Sequence, residues 1–229
     1  MKKAHIKVEM GLVEAILNGT SPVGSLLPGD RELSVQYGVA RPVVREALQN
    51  LAHAGWVTVS QRKATLVNDY WSDGTLDILS SIAKSSEQFP IELIVNLLEI
   101  RAELAPDYAA KAIRNDSAQV IACLAKARKL GANGTAFARF DWELHRLMSI
   151  LSGNRIYPLI LNSFARLYFK MRGQFFSSEE YREASRSYYQ KLLHAALEEN
   201  AEEARQVTRV AMQQRVQLFR MQMESMDHD

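Results

Sequence analysis

A single cysteine, Cys123, in 229 residues excludes an intramolecular disulfide framework and suits a reducing cytoplasm. No apolar run approaches the roughly 18 residues that a membrane-crossing helix needs. The N-terminus, Met1-Lys2-Lys3-Ala4-His5, leads into an amphipathic pattern and not into an apolar signal core. A cytoplasmic location with no membrane partner is therefore expected. G-x-S-x-G, H-E-x-x-H and Gly-rich phosphate loops are also missing, so the sequence argues against an enzyme and calls for no cofactor. Strand patterns are absent after Asn68. What is present, 47% hydrophobic and 24% charged residues, is an ordinary globular composition with length enough for two domains.

The informative stretch runs from Leu27 to Asn68. Gly38-Val39-Ala40 closes one helix, and Pro42 falls at the first position of the next, where its missing N–H costs nothing. Val44, Ala47, Leu48 and Leu51 recur at helical spacing and predict a buried face. Arg41, Arg45 and Gln49, four apart, share another face that starts at the helix N-terminus, the end a recognition helix pushes into the major groove. Beyond Gly55, Trp56-Val57-Thr58-Val59 and Ala64-Thr65-Leu66-Val67 alternate like a hairpin with the polar tip Ser60-Gln61-Arg62-Lys63. Helix, turn, helix and hairpin in this order form a winged helix-turn-helix. Charge agrees with it: residues 1–67 carry eight basic against five acidic side chains, a net of +3, within a whole-chain charge of +2, as a short duplex contact requires. Ahead of the motif, Ile6, Met10, Val13 and Leu17 predict the buried stripe of a first helix. Asp30 and Glu32 sit where the next helix's dipole favours negative charge.

Residues 69–84 read as a linker containing a short helix. Beyond them the pattern is helical, over about 88–114, 117–131, 135–151, 155–175, 178–199 and 201–226, punctuated by Gly131, Gly134, Gly153 and Asn154. The expected fold is mostly α. A winged helix-turn-helix over 1–68 precedes an antiparallel bundle of six or seven helices over 85–229, large enough to enclose an effector pocket and to dimerise.

GSLLPGDRELSVQYGVARPVVREALQNLAHAGWVTVSQRKATLVN, residues 24–68, resembles the DNA-binding domain of the GntR superfamily, whose hallmark is P-x-x-R-E-L followed by V-x-R-x-x-V-R-E-A-L. VNDYWSDGTLDIL, LLEIR and SGNRIYPLILNSFARLY, starting at Val67, Leu97 and Ser152, are similar to its fatty-acid-responsive FadR subfamily. The resemblance implies a homodimer on a short palindromic double-stranded DNA operator, acting as an effector-sensitive repressor or activator. It puts phosphate and base contacts on Arg31, Arg41, Arg45 and Lys63. Pro42, Val43, Gln49, Gln61 and Arg62 complete the expected DNA-binding set. It also implies a long-chain acyl-CoA inside the bundle, with Leu98 and Phe164 against the chain and Arg101 near its polar end. Tyr168, Met212 and Arg215 complete the expected ligand set.

Three departures qualify the carry-over. The wing tip has Gln61-Arg62-Lys63 where the subfamily has His-Gly-Lys, and the recognition helix opens Ala40-Arg41-Pro42-Val43 in place of Thr-Arg-Thr-Thr. In the last helix Ala211-Met212-Gln213-Gln214-Arg215 stands for Tyr-Gly-His-Glu-Ser, so another small organic acid is the alternative effector. A related branch of such bundles binds a divalent metal through an Asp and three His. Asp141 and His145, spaced i and i+4, match the first two ligands, but Tyr189 and Ala211 stand at the later ones. No metal site is expected, and the two are read as a structural hydrogen-bonded pair.

Overall fold

Val8, Leu12, Val13 and Ile16 are the buried residues of α1 (Ala4–Leu17). This is a stripe rotated from the expected one, for Ile6 is 39% exposed and Met10 and Leu17 are half-buried. Both stripes satisfy a 3.6-residue period; packing of α1 against α3 chooses between them. The computed structural model describes residues 4–85 and 91–226, and the chain divides into two units, Met1–Gln88 and Phe89–Asp229.

In the first unit α2 (Asp30–Tyr37) ends at Gly38, whose left-handed φ of 65° lets its N–H reach back to the last turn. Ser34 Oγ donates to the Val39 carbonyl at 2.5 Å, fixing the turn into α3 (Arg41–Ala54). That helix starts one residue earlier than Pro42, with Ala40 as its N-cap. Val44, Ala47, Leu48, Leu51 and Ala54 are buried on one side of it. Gly55 follows at φ 93°, and a Cβ there would lie 2.6 Å from the Gly74 Cα, so only glycine fits the crossing. The hairpin is shorter than the alternation suggested: β1 (Val57–Thr58) pairs antiparallel with β2 (Leu66–Val67), Val57 opposite Val67. An isolated bridge from Leu26 to Leu66 adds a third segment at the edge. Trp56, wholly buried, lies against the Tyr70 ring at 4.6 Å. The stretch expected as a linker forms α4 (Tyr70–Asp73) and α5 (Asp77–Ser85); α5 packs on α1, with Ile78, Leu79, Ile82 and Ala83 buried.

The second unit is a helical bundle. Residues 86–90, where the sequence reading starts its first long helix, lie outside the described residues. α6 (Ile91–Leu124) breaks its helical backbone at Asp116 (φ −161°, ψ 74°), between the two helices expected there. Asp116 Oδ1 accepts from the Gln119 N–H at 3.0 Å, so the residue acts as N-cap for the second segment. A 3₁₀ turn, Ala125–Lys129, leads to α7 (Gly134–Leu151), α8 (Ile156–Phe176), α9 (Glu179–Leu197) and α10 (Ala201–Met226). α6 packs extensively on α10 and on α7, which in turn packs on α8. Near one end Asp107 collects Lys111 at 2.7 Å, Arg205 at 2.9 Å and the Tyr157 hydroxyl at 2.5 Å, joining α6, α8 and α10. Among the described residues no strand follows β2, and no described helix is long and apolar enough to cross a membrane.

Candidate functional site

Two places hold the residues singled out in the sequence. On the first unit Arg31, Arg41, Pro42, Arg45, Gln49, Gln61, Arg62 and Lys63 are exposed, with Val43 half-buried. Arg41, Arg45 and Gln49 fall on the α3 face opposite Val44, Leu48 and Leu51, because the apolar side is consumed by the core. Arg45 Nε donates to Asp30 Oδ2 at 2.7 Å. That contact, missed from the sequence, holds the guanidinium by its inner nitrogen and leaves the outer pair for bases or phosphates. At the wing tip Arg62 has φ 60°, a conformation that L residues adopt at a cost of about 1–2 kcal/mol. A cation therefore stands at a left-handed position of the turn, a conformation that glycine adopts without that cost.

The second place is the middle of the bundle. Asp141 on α7 is wholly buried. Its Oδ2 receives Arg101 Nη2 from α6 at 2.6 Å and the Tyr168 hydroxyl from α8 at 3.1 Å. Its Oδ1 receives Arg215 Nη2 from α10 at 2.8 Å and the Tyr189 hydroxyl from α9 at 3.1 Å. Four donors from four other helices fill the four acceptor positions of one carboxylate. Burial pushes the Asp141 carboxyl up, but Arg215 and Arg101 together hold it well below the usual carboxylate range. The expected Asp141–His145 hydrogen bond is not formed: His145 Nε2 stands 3.7 Å from Oδ1. His145 Nδ1 lies 2.7 Å from the Tyr108 hydroxyl instead. Nor do these residues suit a divalent cation, which would meet two guanidiniums already on the carboxylate. Among the described residues no group of three His, Cys, Asp or Glu is arranged to hold a metal ion.

Beside this cluster is a cavity of about 60 Å³, walled by α6, α7 and α8. Leu98, Arg101, Phe164 and Tyr168 line it, as do Tyr108, Trp142 and His145, which the sequence reading did not assign to a ligand. Met212 and Arg215 are buried at 2% and 4% exposure but are not among the lining residues; Arg215 reaches the cluster from the far side of Asp141. A larger and more polar cleft, about 520 Å³, lies between the 3₁₀ turn and α9, with Tyr189, Arg186 and His194 on its walls.

His145 yields a pH prediction. Burial, reinforced by Arg101, depresses its pKa well below the ordinary 6.5, so the folded ring stays neutral. Below about pH 6.5 the unfolded chain binds a proton at this ring that the folded chain refuses. Stability is then lost as pH falls, by up to about 1.4 kcal/mol per pH unit from this group. Urea unfolding between pH 5 and 8 is expected to show that slope, and His145→Gln is expected to flatten it.

A winged helix-turn-helix followed by an all-α unit with an internal apolar cavity is the architecture of a DNA-binding transcription regulator. Residues 6–67 match the gntR family of bacterial regulatory proteins, and residues 68–229 match the FadR C-terminal domain. The chain belongs to the FadR family of GntR-type regulators. It is 38% identical over 193 residues to the fatty acid metabolism regulator protein of Shewanella pealeana, covering 84% of this chain and 80% of that one. It is equally identical over 181 residues to that of Yersinia pestis, covering 79% and 76%. Among solved structures it resembles Lar, which controls expression of the Listeria monocytogenes agr system. That match has a TM-score of 0.62 and 17% identity over 93% of this chain and 95% of that one, a likeness of fold.

Proposed function

We propose that this chain regulates fatty-acid metabolism as a homodimer on a palindromic operator, and that a long-chain acyl compound entering the bundle cavity changes its affinity for DNA. One winged domain spans a single half-site, which is why two copies related by a two-fold are required. The observation that carries the effector reading is the cavity itself, hydrocarbon along nearly all of its wall, with Arg101, Tyr108, His145 and Tyr168 among the residues that line it. The name shared by the curated relatives supports it, and acyl-CoA is the effector that the subfamily resemblance implied.

At about 60 Å³ the cavity is far below the roughly 300–1,000 Å³ of ordinary ligand sites. A long acyl chain therefore enters only if α6 or α8 shifts outward. Such a ligand binds the expanded state in preference to the closed one, which is the differential affinity that coupling to a second site demands. Burial contributes about 0.8 kcal/mol per methylene, so each added carbon is expected to raise potency about fourfold until the cavity is filled. Titrating a labelled operator complex with acyl compounds of 6 to 18 carbons tests this. A steep rise with chain length is the expected result. An operator complex insensitive to all of them, with no binding to the protein below about 100 μM, near −5.5 kcal/mol, contradicts it.

A further inference from the structure

The tip of the hairpin carries an arginine where the turn favours glycine. The Lys63 N–H reaches the Ser60 carbonyl at 3.4 Å, closing a four-residue turn whose third residue, Arg62, has φ 60° while Gln61 keeps a negative φ. That is the pattern of a type II turn, which selects glycine or asparagine at its third position. Arg62 is exposed, so core packing gives no reason for a bulky cation there, and strain of this kind points to function. The base of the hairpin is firmly held. Thr58 Oγ1 donates to Asn68 Oδ1 at 2.7 Å, Asn68 Nδ2 donates to the Gly55 carbonyl at 3.0 Å, and Trp56 is wholly buried. Among the described residues neither the Arg62 nor the Lys63 side chain has an ion-pair or hydrogen-bond partner.

Two contacts place this tip beside the helix that reads DNA. The Leu27 N–H donates to the Thr65 carbonyl at 2.9 Å, which sets the outer end of the hairpin against the segment entering α2. Asp30, at the start of α2, holds Arg45 of α3 at 2.7 Å. Arg62 stands three residues beyond Thr65, a reach of roughly 10 Å when extended. The carboxylates at the α2 start are both engaged, Asp30 by Arg45 and Glu32 by the Gly29 N–H at 3.2 Å, so the cations dominate. We propose that Arg62 makes this chain a reader of minor-groove width: with α3 in the major groove, the hairpin tip crosses the adjoining phosphate strand and seats the Arg62 guanidinium in a minor groove narrowed by A·T pairs. Lys63 meets a phosphate at the rim. The inference rests on the DNA-binding role of the first unit and is independent of the effector. A minor groove about 6 Å wide excludes a helix but admits one side chain. Runs of A·T narrow it further and concentrate its negative potential, which attracts arginine. A guanidinium is also more weakly hydrated than an ammonium, so it enters such a groove at less cost than lysine.

The test uses full-length protein and duplexes selected from a random pool, once by the wild type and once by Arg62→Gly, a substitution that relieves the turn and leaves the core untouched. The wild type is expected to enrich a run of A·T pairs next to each half-site; Arg62→Gly is expected to keep the half-site and lose the run. Base analogues then separate the grooves in one selected duplex. Replacing the adenines of the run by 2,6-diaminopurine adds an amino group in the minor groove and leaves the major-groove edge unchanged, whereas inosine–cytosine pairs keep the minor groove of A·T and change the major one. Diaminopurine is expected to weaken wild-type binding about fivefold or more, the scale of one disfavoured base pair, and inosine–cytosine by less than about twofold. Arg62→Gly is expected to respond to neither. A wild type indifferent to diaminopurine, an equal loss with inosine–cytosine, or an undiminished A·T run in the Arg62→Gly pool overturns the proposal and leaves the DNA-binding role standing. Failure of both proteins to enrich any sequence overturns both.

Discussion

Exchanging Asp141 for asparagine is expected to lower stability by about 3–5 kcal/mol, the usual cost of stranding a buried charge. Asparagine preserves the volume, so the loss reports charge and not a cavity. Arg101 and Arg215 would then face each other across a neutral amide, and Tyr168 and Tyr189 would compete for one carbonyl oxygen in place of four acceptor positions. Because the partners come from α6, α8, α9 and α10, the loss falls on the whole bundle and not on one helix. For a chain of this size about 2–4 °C accompanies each kcal/mol, so the melting temperature should drop by roughly 6–20 °C. A drop under about 2 °C in differential scanning calorimetry would mean that Asp141 does not hold the bundle together.

Arg41→Ala and Arg45→Ala are each expected to weaken operator binding by about 1–3 kcal/mol and to relax sequence preference, as the loss of a bidentate base contact does. That is about 5- to 150-fold each. Asp30→Ala should cost less than Arg45→Ala, since it releases the inner nitrogen of Arg45 but leaves the guanidinium in place. Lys63→Ala, on the wing, should weaken binding to all sequences alike and lower the salt dependence by about one phosphate contact. Fluorescence anisotropy on operator and scrambled duplexes separates the two patterns. Unchanged affinity in both arginine variants would remove α3 from the DNA-reading role.

The recognition helix was legible because several local signals coincide within it. Gly38 and Gly55 stop helices through positive φ, Pro42 sits near a start, and Val44, Ala47, Leu48 and Leu51 repeat at 3.6 residues. Each of these acts within one turn of chain, the range over which a sequence can be read directly. The stripe on α1 was misplaced by the same reasoning, since two sets of apolar residues fit the period and contact with α3 and α5 selects Val8, Leu12 and Ile16. The break expected between the helices over 88–114 and 117–131 is made by Asp116, whose backbone leaves the helical region and whose side chain caps the second helix.

The cluster was legible only in pieces. Arg101 and Arg215 were singled out through the resemblance and Asp141 through its spacing from His145. Arg101 and Asp141 are 40 residues apart, however, and Arg215 lies on the last helix, so no periodicity brings them together. Tyr108 carried no signal of its own; its link to His145 comes from the packing of α6 on α7. Charge surplus in a buried site is likewise a property of the fold, because formal charge read along the chain averages it away.

The central claim, that an acyl ligand in the bundle governs DNA binding by a dimer, is most directly tested by native mass spectrometry of the protein with operator duplex and a long-chain acyl ligand. Without ligand the predicted species is two chains on one duplex. With ligand it is a dimer carrying one ligand per chain, separated from DNA as ligand concentration rises. A ligand-loaded dimer that still holds the duplex at every concentration, or a monomer bound to DNA, would contradict the account.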